Sequence, residues 1–199
     1  LRRDALLAAA RLVCEINAIA LCEAPHGRGT VGCLDVHPGS RNVIAGQVKL
    51  TVDFRHPDQA GLARMEAALR RVVDRETAMG QKETTKGSTG ISLTADAKGA
   101  SGIAIEMTQV VHFPPTAFDA TLVDSVREAA RAIGLESLDI VSGAGHDAVY
   151  AARVAPAAMV FIPCKDGISH NEIEDALPEH VSAGVNVLLR AMLARAGQA

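Results

Sequence analysis

Aromatic side chains are scarce in this chain: 3% of 199 residues, with one Tyr, four Phe and no Trp. Stacking platforms for single-stranded nucleic acid need such rings, so that class of partner is not expected. An excess of positive charge is missing as well. The formal net charge is −3, which leaves no basic footprint for nucleic acid or an anionic membrane. No apolar run approaches the roughly 20 residues of a membrane-spanning helix. The N-terminal stretch 1–24 comes nearest, but Asp4, Arg11, Glu15 and Asn17 break it. It therefore reads as an amphipathic helix rather than a signal peptide. Cysteine is sparse and unpaired in pattern: Cys14, Cys22, Cys33 and Cys164 form no C-x-x-C motif. That spacing suits neither a zinc knuckle nor a disulfide framework, and a reducing cytoplasm is the expected location.

What is present is enough apolar material for a core, at 48% of the chain. From Arg3 to Cys22, Leu6, Ala9, Leu12, Ile16 and Ile19 recur at helical spacing. Segment 30–36, "TVGCLDV", alternates as a strand does. Segment 43–55 reads as one strand, or two interrupted at Gly46. Within it Val48, Leu50, Val52 and Phe54 share one face, while Lys49, Thr51, Asp53 and Arg55 share the other. A helix is predicted over 56–80, with Asp58 as N-cap, Leu62, Met65, Leu69 and Val72 as its stripe, and Gly80 as its stop. Two alternating segments, 91–99 and 101–113, make a plausible hairpin around a Gly-containing turn. The order helix, strand, strand, helix, strand, strand predicts an α+β sandwich with an antiparallel sheet covered on one face.

The prolines of "FPPTAFD" (113–119) mark the expected domain boundary, giving domains 1–113 and 117–199. Beyond it a helix (119–134), a strand (138–141) running into a Gly-rich turn, a short helix (146–154), the apolar run "AAMVFIP" (157–163) and a closing helix (178–196) alternate. That rhythm predicts a parallel or mixed α/β layer, with 157–163 as a strand buried on both faces.

Two loops follow the predicted strands at the edge where open α/β sheets bind ligands: "SGAGHDA" (142–148) and "CKDGISHNE" (164–172). In the first, His146 and Asp147 begin a helix. They either cap it or face a ligand that Gly143 and Gly145 allow to approach. In the second, His170 suits zinc ligation or proton transfer, and equally suits a hydrogen-bonded turn. Cys164 has no recognisable orienting partner, so a Cys-His nucleophile carries little weight. Glu172, Glu174 and Asp175 read more readily as solvated acids near a helix start than as metal ligands. In the first half, the Arg55 guanidinium could hold a carboxylate by two parallel hydrogen bonds, with Asn42 adding an amide donor. The alternatives are pairing of Arg55 with Asp53 or Asp58, and a turn role for Asn42.

Taken together, "GTVGCLDVHPGSRNVIAGQVKLTVDFRHPD", "SGAGHDA", "FIPCKDGISHNEIED" and "PEHVSAGVNVLL" resemble the amidase/hydantoinase/carbamoylase family of aminoacylase-like dinuclear zinc hydrolases. These include N-carbamoyl-L-amino-acid hydrolases, β-ureidopropionases and allantoate amidohydrolases. The resemblance covers essentially the whole chain, with Arg55 placed 13 positions after Asn42 and His170 placed 24 after His146.

The resemblance implies a zinc-bearing α/β catalytic domain, represented by 117–199, and a ferredoxin-like α+β lid, represented by 1–113, through which a homodimer forms. It implies that His170 is a zinc ligand and that His146 contacts substrate in the active site. Asn42 and Arg55 would grip the substrate carboxylate, reaching the active site of the partner subunit, and Gly167, Ile168 and Ser169 would line the pocket. Two zinc ions serve the intact enzymes, with manganese or cobalt as alternatives. The substrate would be a small carbamoyl amino acid or ureido acid. The family's other zinc ligands and its catalytic Glu have no counterpart here, and the chain begins with Leu1. It is therefore expected to be a portion of such a hydrolase, inactive and metal-free by itself. A portion of an allantoate amidohydrolase, and a stable non-catalytic module that dimerises or binds carboxylates, are the competing expectations.

Overall fold

A computed structural model describes residues 3–78, 91–95 and 103–197. The chain divides into two compact units, Leu1–Pro115 and Thr116–Ala199.

In the first unit, helix α1 (Ala5–Cys22) starts where Asp4 accepts a hydrogen bond from the Leu7 N–H through its side chain, at 3.1 Å. The bond satisfies one of the donors a helix start leaves orphaned. Ala5, Ala8, Ala9, Leu12, Ile16, Ile19 and Ala20 form its buried stripe. By length and a mean hydropathy of 1.8, α1 is apolar enough to cross a membrane. Its buried face is nevertheless part of the core, and Glu15 on its outer side pairs with Arg75. Helix α2 (Gln59–Ala78) is capped by Asp58, whose carboxylate accepts from the Gly61 N–H at 2.9 Å. It buries Met65, Leu69, Val72 and Val73. The expected stop at Gly80 lies outside the described residues.

Strands β2 (Leu34–His37), β3 (Gln47–Leu50), β5 (Ile91–Ala95) and β6 (Ile103–Met107) form an antiparallel sheet in that order. β5 and β6 pair as a hairpin requires, from Ile91 opposite Met107 to Ala95 opposite Ile103. The expected turn at 96–102 lies outside the described residues. β6 ends at Met107, short of the expected Phe113, and Val110, Val111 and Phe113 are exposed. Val48, Leu12, Ile16 and Met65 are fully buried where α1 and α2 cover the sheet. Each such side chain contributes about 1.5–3 kcal/mol by leaving water.

The long strand expected over 43–55 is two strands in different sheets. β4 (Asp53–Arg55) leaves β3 after Leu50 and pairs antiparallel with β1 (Arg28–Thr30) as a separate ribbon. The break falls at Thr51 and Val52, not at Gly46. There the Thr51 N–H bonds the Cys33 carbonyl at 3.1 Å, beyond the last β2–β3 pair. The side-chain alternation survives the break, because Val52 and Phe54 still pack against the core. "TVGCLDV" is divided in the same way, with Thr30 in β1 and Leu34–Val36 in β2.

The second unit contains helices α3 (Ala120–Ala132), α4 (Asp147–Ala151) and α5 (Pro178–Ala196), and a short 3-10 turn at Lys165–Gly167. Asp119 caps α3, accepting from the Leu122 N–H at 2.9 Å. Gly134, at φ +73°, takes the left-handed conformation just past its end. Ala129 and Ala130 pack against Val187 and Ala191 of α5, with Val126, Ile133 and Val160 around them. Here the expected α/β layer is corrected: among the described residues of this unit there is no β-strand. Residues 138–141 and 157–163 have no ladder partner. Leu138, Ile140, Val141 and Phe161 are exposed, so 157–163 is not buried on both faces. An apolar run becomes a strand only when a neighbour satisfies its backbone groups. Segment 157–163 is instead anchored by the Asp119 N–H to the Ala157 carbonyl, at 3.0 Å, and by Val160 and Ile162. Ile162 lies so close to α5 that a Cβ on Gly184 would fall 2.4 Å from its Cγ2.

Candidate functional site

In the first unit, Arg55 ends β4 on the polar face of its strand, opposite Arg28. Its guanidinium forks onto Asp53: Nε lies 3.1 Å from Oδ1, and Nη2 lies 2.6 Å from Oδ2. These hydrogen bonds raise the arginine's proton affinity above its usual value. Both side chains are half exposed, so the pair is screened by water and costs little to open. The pairing with Asp53, one of the two sequence alternatives, is the one the fold adopts. It also displays the geometry that a carboxylate ligand would need. Asn42 lies exposed in the loop before β3, its Oδ1 accepting from the Ser40 hydroxyl at 3.0 Å. The two candidate clamp residues are thus held by different neighbours.

Close to the start of α2 is a group that sequence reasoning missed. Arg64 grips the Glu23 carboxylate with Nε and Nη2 at 2.8 and 2.7 Å, and His56 Nε2 stands 3.8 Å from the same carboxylate. The Arg64 hydrogen bond holds the Glu23 carboxyl below the usual glutamate value. Backbone N–H groups of Gly61 and Ala60 do the same for Asp58. The cluster ties the end of α1 to the start of α2, a link of 41 residues in sequence that no local pattern signals.

In the second unit, His146 precedes α4 in an extended conformation and its ring makes no capping bond to the helix. The ring is held from two other sides. Nε2 lies 2.6 Å from the Ser142 hydroxyl, and the Phe161 ring meets it edge-on at 5.5 Å. Ser142 also accepts from the Ala144 N–H at 3.2 Å. Ser142 was not singled out by the sequence. The available signal was a hydroxyl four positions before a histidine across a Gly-Ala-Gly turn. A Cβ on Gly143 or Gly145 would meet nothing within 4 Å, and neither has a positive φ. The chain's own packing therefore does not require glycine there.

The loop after 157–163 is closed by its own polar groups. The Lys165 N–H bonds the Asp175 carbonyl at 2.7 Å, and the His170 N–H bonds Glu174 Oε2 at 2.6 Å. Asn171 Oδ1 accepts from the Ile173 N–H at 3.2 Å. Asp166, Gly167 and His170 are left-handed, His170 at φ +56°. A non-glycine residue held there costs on the order of 1 kcal/mol, and such residues cluster at ligand sites. Ser169 and His170 are exposed and Ile168 half-buried. Glu174 spends a carboxylate oxygen on the backbone, and Asp175 lies 4.0 Å from the Lys165 ammonium and accepts from the Ala176 N–H. Among the described residues no group of three or more His, Cys, Asp or Glu side chains could hold a metal ion. His170 by itself does not fit the roughly four ligands of a zinc site.

The sequence profile of Peptidase family M20/M25/M40 matches residues 10–194. An N-carbamoyl-L-amino-acid amidohydrolase of Rhizobium meliloti is 39% identical over 197 residues, 97% of this chain and 41% of that protein. A ureidoglycolate hydrolase of Arabidopsis thaliana is 32% identical over 94% of this chain and 35% of its own length. A crystal structure of a hydantoinase/carbamoylase family amidase from Burkholderia multivorans superimposes with a TM-score of 0.82 at 52% identity. That match covers 98% of this chain and 42% of that one. The chain thus spans about two fifths of the length of relatives such as these.

Proposed function

The chain belongs to Peptidase family M20/M25/M40, and from that premise we propose that it is the substrate-holding portion of an amidohydrolase. The bond cleaved is the carbamoyl C–N bond of an N-carbamoyl amino acid. The observation that most supports this substrate class is the bidentate Arg55 fork, already shaped around a carboxylate by Asp53. It is joined by 39% identity to a carbamoyl-amino-acid amidohydrolase along nearly the whole chain.

In this reading Arg55 and Asn42 take the carboxylate of a substrate bound in the partner subunit's active site, turning binding energy into orientation. The His146 ring, free of any capping duty, takes the polar end of the carbamoyl group, where charge develops on oxygen during attack. Gly167, Ile168 and Ser169 line the pocket beside it. In the complete enzyme His170 would supply one ligand to a zinc pair, whose chemistry would be the activation of water. Among the described residues no group of three or more His, Cys, Asp or Glu could hold a metal ion, and the chain by itself is expected to show no turnover. The first unit is assigned as a ferredoxin-like lid that pairs two copies.

Calorimetric titration of the chain with N-carbamoylalanine tests the assignment, with ethylurea, which lacks the carboxylate, as control. A saturable heat with the first and none with the second is expected. Equal responses to both would remove the carboxylate clamp and the substrate class with it.

A further inference from the structure

The hydrogen-bond inventory around His146 fixes more than the ring's position. Ser142 Oγ has one proton to give and two lone pairs. One lone pair takes the Ala144 N–H at 3.2 Å. The imidazole Nε2 lies 2.6 Å away. If Nε2 carried a proton, Oγ would accept twice and its own proton would have no use in this pair. If Nε2 is bare, the hydroxyl donates to it, the Ala144 N–H and the Ser142 O–H both have acceptors, and the remaining proton, on Nδ1, is left for a ligand. Phe161, edge-on at 5.5 Å and 66°, packs against the ring from another side. Ser142 and His146 are both half-buried, and donation from the hydroxyl to Nε2 completes the pair without calling on water.

We infer that Ser142 is the positioning residue for His146: its hydroxyl donates to Nε2, selects the Nδ1–H tautomer and leaves Nδ1–H as the donor presented to a ligand. The ligand half of this statement rests on the reading of His146 as a substrate-contacting group. The tautomer half does not rest on that reading; it follows from the donors and acceptors around Ser142 Oγ. A donor at Nδ1 suits the oxygen of a ureido or amide group, whereas the opposite tautomer would present a bare nitrogen to it.

The test is nitrogen-15 NMR of the labelled whole chain at mildly alkaline pH, where long-range proton–nitrogen correlations distinguish the two neutral tautomers. His146→Gln identifies the His146 signals among the seven histidines. The unmodified chain is expected to show the Nδ1–H pattern. Ser142→Ala should shift it toward Nε2–H, and Ser142→Thr, which keeps the hydroxyl, should restore it. An Nε2–H pattern in the unmodified chain overturns the inference without reference to any variant. So does an unchanged pattern in a folded Ser142→Ala chain, since a merely structural role would not set the tautomer. Addition of N-carbamoylalanine separates the two halves. A shift at Nδ1 supports both; the expected tautomer with no response to ligand leaves Ser142 in its role and overturns the ligand assignment.

Discussion

Asp53 occupies the fork that a substrate carboxylate would use, so Asp53→Asn should tighten ligand binding whereas Arg55→Ala should weaken it. The magnitudes follow from the exposure of the pair. Both side chains are 50% accessible, and exposed ion pairs are worth about 0.2–1 kcal/mol. Releasing Arg55 from Asp53 can therefore raise affinity at most about fivefold. Removing the guanidinium forfeits a charge-assisted bidentate contact, about 1.5–3 kcal/mol, or roughly 10- to 150-fold in affinity. Titration of N-carbamoylalanine into the unmodified chain and the two variants measures both. Higher salt should narrow the difference between Asp53→Asn and the unmodified chain, because screening already weakens an exposed pair. If Asp53→Asn instead loses as much affinity as Arg55→Ala, Asp53 orients the guanidinium rather than competing for it, and the reasoning fails.

Three further outcomes concern the scaffold. The Glu23 carboxyl has a folded proton affinity below that of an unfolded glutamate, because Arg64 bonds its charged form. Its contribution is therefore fully present above the unfolded value, roughly pH 4.3, and is lost as pH falls through the folded value. Acid unfolding followed by circular dichroism should be less steep on the acid side in Glu23→Gln; an unchanged slope would rule out this carboxylate as a source. Leu12 is completely buried between α1 and its neighbours, so Leu12→Ala should cost about 2–5 kcal/mol in urea unfolding. Asp119→Ala removes the α3 cap and should cost about 0.5–2 kcal/mol, confined to the unfolding of the second unit. A comparable loss in the first unit would contradict the division at Pro115.

Which parts of the fold the sequence could reveal depended on whether the determining interactions were local. α1 and α2 were legible because each carries its own apolar stripe and α2 its own cap, Asp58; the caps Asp4 and Asp119 are equally local but emerge only in the structure. The alternation of Val48, Leu50, Val52 and Phe54 correctly reported which side faces the core. It could not report that the strand changes partners after Leu50. Side-chain period is set by the local pleat, whereas partnering is set by Cys33 and Thr30, some twenty residues away. The second unit failed for the same reason in stronger form. The apolar runs at 138–141 and 157–163 have strand composition, but a strand is a relation between two segments, and neither run has its relation among the described residues.

The candidate site divides along the same line. His146 and His170 could be found by residue type and loop position, because glycine-rich turns after apolar runs are local features. What distinguishes a working histidine from a capping one is not local. His146 was balanced between those roles until its ring was seen to avoid the α4 backbone and meet Ser142 and Phe161 instead. Phe161 arrives from fifteen residues further on, in the run that failed to become a strand. That same run ends in the loop whose left-handed His170 is held by Glu174. Segment 157–163 therefore serves both histidines: Phe161 packs on one ring, and Val160 and Ile162 fix against α3 and α5 the segment from which the other's loop departs. Ile162 is the residue to perturb. Its Cγ2 sits where Gly184 leaves room for it, so Gly184→Val should push 157–163 off α5 and disturb the His146 and His170 NMR signals together. A variant that stays folded and moves only one of the two histidines would refute this shared support.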